Sequence, residues 1–168
     1  MIARTSAARA AASVILAGAL VLGTSGCTFL TPQATLIQYD PSDGVGTRVG
    51  DVDVRNAVAL LSDDGESASL LLTLISRTDR TINVTMQYAA GGTRESTTKS
   101  VNPNTSSSYG NFVGEPQIII VDPDTEPGAL YPVYFQYGDV EGVELLVPVL
   151  DGSFEQYTDL VPPDGAAE

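Results

Sequence analysis

Between residues 37 and 163 the chain alternates apolar and polar positions with a period of two, the signature of strands with one buried face. The clearest run is 81–88. There Ile82, Val84, Met86 and Tyr88 point inward, while Thr81, Asn83, Thr85 and Gln87 face water. Val52, Val54, Val58 and Leu60 share a face, with Asp53 and Arg55 on the other. Leu70, Leu72 and Leu74 alternate with Ser69 and Thr73, and this run is expected to form a hairpin with the 81–88 strand. Gly91-Gly92 breaks the pattern, and the Thr/Ser-rich stretch 93–108 should hold two exposed strands. Gln117–Val121 is continuously apolar, which predicts a short strand buried on both faces. Tyr131, Val133, Phe135 and Tyr137 alternate again, as do Val143, Leu145, Val147 and Val149. Pro132 and Pro148 lie on the opposite faces of these two runs, which favours edge positions or bulges. A small helical element is expected near the end. Ser153-x-x-Gln156 fits a capping box, Phe154, Tyr157 and Leu160 share a face, and Pro162-Pro163 stops it.

Seven or more short strands with turn signals about every 8–14 residues predict an all-β fold, a single antiparallel immunoglobulin-like β-sandwich. The chain has no Trp and one Cys, so the buried Trp and inter-sheet disulfide common in such sandwiches are missing.

The N-terminus follows a different pattern. Arg4 and Arg9 precede an apolar run from Ala10 to Leu22, too short for a membrane span of about 20 residues. Small residues then lead into Cys27, as in a secretory signal. Gly23-Thr24-Ser25-Gly26-Cys27 resembles a bacterial lipoprotein lipobox, with Thr24 where Leu, Val or Ile is usual. The resemblance implies cleavage before Cys27 and a lipid on its sulfur. It places the mature protein on the extracytoplasmic face of the cell membrane, held by an N-terminal lipid anchor. The organisation expected is residues 1–26 as signal peptide, 27–37 as lipidated cysteine and tether, 38–163 as the sandwich and 164–168 as a tail.

Composition narrows the chemistry. The 168 residues contain no His, so imidazole-based nucleophilic catalysis and imidazole metal sites are excluded. The formal charge is −13, and without residues 1–26 it is −15, with no Lys or Arg after Lys99. That balance argues against nucleic acid, where phosphate neutralisation supplies the affinity. Paired carboxylates can hydrolyse glycosides at spacings of roughly 5–9 Å, but no aromatic-lined cleft is evident, so no catalytic residue and no enzyme activity are expected. No cofactor is expected either.

Two acidic turns are candidate calcium sites: Asp63, Asp64 and Glu66, and Asp122, Asp124 and Glu126. Hard cations take oxygen ligands in such loops. Neither turn has EF-hand spacing, and the competing reading is a pair of solvated turns whose Asp-Gly and Asp-Pro steps serve backbone geometry. Segment 93–113 is the candidate partner surface, with Tyr109 and Phe112 set among Ser, Asn and Gly. Its alternative is a solvated hairpin region.

Gln38-Tyr39-Asp40-Pro41-Ser42-Asp43-Gly44-Val45 resembles the opening of small actinobacterial envelope lipoproteins, the mycobacterial LpqE-like proteins. The likeness continues through Val54-Arg55-Asn56-Ala57, Pro127-Gly128, the strand 130–138, and Val147-Pro148-Val149-Leu150-Asp151-Gly152 with Tyr157 and Pro162. It implies an immunoglobulin-like sandwich outside the membrane with no established reaction. The family's fold resembles the periplasmic copper chaperones, which hold Cu(I) with His and Met. Here there is no His, and the only Met beyond the first residue is Met86, which the alternation places in the core. Soft-metal binding is therefore not carried over. The function expected is non-covalent binding or scaffolding with an envelope protein or glycan partner. The second reading is a calcium-binding or calcium-stabilised envelope module.

Overall fold

The computed structural model describes residues 9–18 and 42–164. Residues 9–18 form a short exposed helix, and no helix among the described residues is long and apolar enough to cross a membrane. Cys27 and the tether lie outside the described residues.

The rest is all β. The strands are β1 (Val45–Val49), β2 (Val52–Leu61), β3 (Ser67–Ser76), β4 (Ile82–Ala90), β5 (Thr93–Val101), β6 (Ser106–Tyr109), β7 (Ile119–Val121), β8 (Leu130–Gln136) and β9 (Val143–Leu150). One layer holds β1, β2, β3, β6 and β7, and the other holds β5, β4, β8 and β9. A short parallel contact of Ala59 with Val149 and Leu60 with Leu150 joins the layers along one side. All other pairings are antiparallel, so the fold is the expected sandwich, with its sheet curled over one core.

That core follows the predicted alternation most faithfully on β4, β8 and β9. Ile82, Val84, Met86 and Tyr88 meet Tyr131, Val133, Phe135, Val147 and Val149 inside it. The Tyr131 hydroxyl donates to the Ala89 carbonyl, and burial drives its phenol far above the usual range.

β2 departs from the expected pattern for a physical reason. Its register with β3 shifts between Arg55 and Val58, where Asn56 sits at φ +51°. This bulge adds one residue, so every later side chain changes face. Val52, Val54, Ala57, Ala59 and Leu61 enter the main core, whereas Val58 and Leu60 turn to the outer face. There they pack with Leu71, Leu160, Leu150 and Tyr157 in a second cluster. β3 is consequently buried on both sides over most of its length.

Other expectations are corrected. β3 and β4 are not a hairpin, because residues 77–81 carry the chain from one layer to the other. The hairpin is β4–β5. Gly91 and Gly92, at φ +58° and +71°, form its two-residue turn, the conformation that matches strand twist. β7 has only three residues, pairs with β3 alone, and leaves Val121 exposed, so it is not buried on both faces. Residues 152–160 form successive turns instead of a helix. Tyr157 N–H donates to the Phe154 carbonyl and Leu160 N–H to that of Tyr157, and Phe154 stays exposed. Pro132 lies outside the stretch of β8 that β4 pairs, Tyr134–Gln136, so its missing N–H costs that ladder nothing.

Candidate functional site

The outer face of the first layer carries the most distinctive surface. β6 and β7 both run along β3, and the loop between them, 110–118, stands off its edge. The loop is held at its base. Gly110 N–H donates to the Pro116 carbonyl at 3.0 Å, and Glu115 N–H to the Phe112 carbonyl at 3.1 Å. The Glu115 carboxylate accepts from Ser108 Oγ and from the Asn111 N–H, each at 3.0 Å. Asn111 Nδ2 donates to the Leu72 carbonyl at 3.0 Å and to Ser108 Oγ at 2.9 Å. Asn56 Nδ2 donates to Asn111 Oδ1 at 3.1 Å, tying the loop to the β2 bulge. With its base fixed, the loop presents Phe112 and Val113 to solvent at 71% and 75% exposure.

Beside this tip lies a half-open cleft of about 490 Å³, lined by Asn56, Leu71, Thr73, Ser108, Asn111, Phe112, Gln156, Tyr157 and Leu160. Its far wall is the turn-rich segment after β9. Gln117 Nε2 donates to the Leu160 carbonyl at 3.0 Å, and the Tyr157 hydroxyl to Asp43 Oδ2 at 2.9 Å. Burial and the Asp43 carboxylate raise the Tyr157 phenol from 10.0 to about 12.

Of the two residues expected to meet a partner, the structure keeps one outside. Phe112 is at the loop tip. Tyr109 is buried in the main core, because β6 pairs it with Leu72 and turns its ring inward beneath Lys99, whose Nζ lies 5.6 Å from the ring centre.

The acidic turns spend carboxylates on the backbone. Asp64 Oδ1 accepts from Ser62 Oγ at 2.6 Å and from the Glu66 N–H at 3.0 Å. Asp124 accepts from the Gly92 N–H, at 3.1 Å to its nearer oxygen. The β3–β7 pairing brings the two turns side by side, with Asp122 N–H donating to the Glu66 carbonyl at 2.8 Å. Asp63 and Glu126 complete the sequence candidates. Among the described residues no group of three or more Asp, Glu, His or Cys side chains gathers to hold a metal ion.

One cluster was missed by sequence reasoning. Asp53 is 1% exposed, yet its carboxylate accepts from Arg48 Nε at 2.6 Å and from Arg77 Nε and Nη2 at 2.8 and 2.5 Å. Arg55 Nη2 is 3.9 Å away. Burial pushes the Asp53 carboxyl upward, but the Arg48 and Arg77 hydrogen bonds outweigh it and hold the group below 3.8. The signal in the sequence was an acid inside a Val-rich strand flanked by Arg48, Arg55 and Arg77.

No protein-family profile matches the chain, and no curated protein matches it in sequence. Solved structures are similar in fold. The apo PmoF2 PCuAC domain is similar at a TM-score of 0.51 and 14% identity, over 65% of this chain and 97% of that one. The copper-bound PCuAC domain from PmoF2 gives 0.49 at 15% identity, over 63% and 97%. The apo PCuAC domain from PmoF1 gives 0.47 at 13% identity, over 62% and 97%. At such identities the likeness is one of fold alone. Copper belongs to the PmoF2 domain's own description. In this chain there is no His, and Met86 is sealed in the core.

Proposed function

We propose that this chain is a lipid-anchored binding module of the bacterial cell envelope, of the kind the actinobacterial lipoprotein resemblance implies. It is held on the extracytoplasmic face through Cys27 and engages an envelope partner non-covalently, without a reaction of its own. The observation that carries the reading is the Phe112–Val113 tip. Two large apolar side chains stand exposed on a loop whose base is fixed by Asn111 and Glu115. Exposed apolar groups on a pre-ordered loop cost little entropy to dock, and they gain from leaving water.

The experiment is a photo-crosslinking amino acid at position 112 in intact cells. The expected result is a discrete adduct with an envelope component, absent when the same probe replaces Asp139 on the β8–β9 turn. Equal labelling at both positions, or none at 112, overturns the proposed site. The anchor is tested separately. Cys27→Ser should move the protein out of the membrane fraction, and continued sedimentation in high salt rejects the lipid.

A further inference from the structure

We infer that the occupant of the cleft beside Phe112 is a neutral carbohydrate, an inference that rests on reading this cleft as the partner site. The lining is specific in what it offers. Three side-chain amides (Asn56, Asn111 and Gln156) and two hydroxyls (Thr73 and Ser108) surround a floor of Leu71 and Leu160, flanked by the rings of Phe112 and Tyr157. None of these nine side chains is charged in the neutral range.

A pyranose has complementary chemistry. Its ring C–H groups form an apolar face that stacks on aromatic and aliphatic carbon, and its hydroxyl rim both donates and accepts. Amides and hydroxyls also do both, so they pair with that rim without needing a fixed charge. Such a mixture of apolar wall and few oriented polar groups is what a small-molecule cleft needs, and about 490 Å³ lies within the usual range of roughly 300–1,000 Å³.

Gln156 is exposed and makes no side-chain hydrogen bond among the described residues, so its amide is open to a ligand, while Asn111 and Ser108 are held in fixed orientations by their bonds to the Leu72 carbonyl and to Glu115. An acidic ligand fits poorly. No cation lines the cleft, and the carboxylates bonded to its lining residues, Glu115 on Ser108 and Asn111 and Asp43 on Tyr157, would repel an anion.

The test is titration of the full chain in detergent with neutral oligosaccharides of glucose, mannose, galactose and N-acetylglucosamine, followed by side-chain amide NMR and calorimetry. At least one sugar should shift the Gln156 and Asn111 amide signals. Phe112→Ala and Gln156→Ala, both surface changes, should each weaken it tenfold or more, about 1.4 kcal/mol. If no neutral sugar moves these signals, or if the variants bind as the parent does, the carbohydrate assignment falls. A protein adduct at position 112 together with no sugar response would keep the binding role and reject the carbohydrate. Neither adduct nor sugar response would reject both.

Discussion

Asp53→Asn probes the energetics of the buried charge, because it preserves volume while removing the negative charge that the arginines bond. In the native structure the carboxylate accepts one hydrogen bond from Arg48 and two from Arg77. Charge-assisted hydrogen bonds are worth about 1.5–3 kcal/mol when shielded from water. Here the arginine side chains are 55% and 56% exposed, so solvent screening reduces each contribution. The substituted amide would also turn Nδ2 donors toward guanidinium donors. The net loss should be about 2–3 kcal/mol, or roughly 8–12 °C in Tm for a domain of this size. Arg77→Gln should cost more than Arg48→Gln, because it removes two of the three bonds. The assay is urea unfolding at neutral pH, repeated at falling pH. Asp53 has a folded pKa below its unfolded value of 3.8. Its contribution is therefore complete above 3.8 and is lost as pH falls through the lower folded value. The parent and Asp53→Asn should differ by a constant amount down to about pH 4 and converge below it. A difference under about 0.5 kcal/mol at neutral pH, or one that widens on acidification, refutes the reasoning.

The remaining expectations concern the outer face of the first layer. Asn56→Val should destabilise by about 1–2 kcal/mol, because a β-branched residue resists the left-handed conformation at φ +51°, whereas Asn56→Gly should cost less; urea unfolding checks both. Gly44→Ala should also destabilise, because its Cβ would lie 2.6 Å from the Asn56 carbonyl carbon; the same assay reads it. Tyr157 should ionise near pH 12 in a phenolate absorbance titration, and Tyr157→Phe should remove that transition. Since its folded pKa is raised, the stability it contributes is complete below pH 10.0 and declines as pH climbs toward 12. Truncation after Leu150 should uncover Val58, Leu60 and Leu71, increase binding of a hydrophobic dye, and lower stability by about 2–4 kcal/mol.

The sequence made β4 legible because one of its faces is wholly buried and the other is open, which is the case a period of two describes. β2 was half legible. Its first half obeys the period, but Asn56 changes the face of everything after it, and a lone Asn between Arg55 and Ala57 looks like any other polar position. Phe112 was identified as exposed because its neighbours are Gly and Asn. Tyr109, three residues earlier, looked equivalent, and only its pairing with Leu72 decides that it is core. The β3–β4 crossing was illegible for a similar reason. A short polar connection joins strands of one layer or of two equally well, and the choice is made by what covers β3. The Asp53 cluster draws Arg48, Arg55 and Arg77 from two strands and a connection, so no local window contains it.

The bulge, the segment after β9 and the cleft form one construction. Had β2 kept its regular alternation, Val58 and Leu60 would stay in the main core and Ala57, Ala59 and Leu61 would face outward instead. The bulge turns them outward and creates an apolar patch with Leu71. Leu160 and Tyr157 cover that patch, and the turns of 152–160 allow this because each side chain is placed separately, where a helix would commit one stripe. Coverage ends at Leu71 and Thr73, where the loop carrying Phe112 begins, and the gap left between the two is the cleft. The concave, uncharged surface is thus built by one bulge residue and one C-terminal segment on the outer face of the first layer. The binding chemistry proposed for this chain lies on that outer face, away from the main core between the layers.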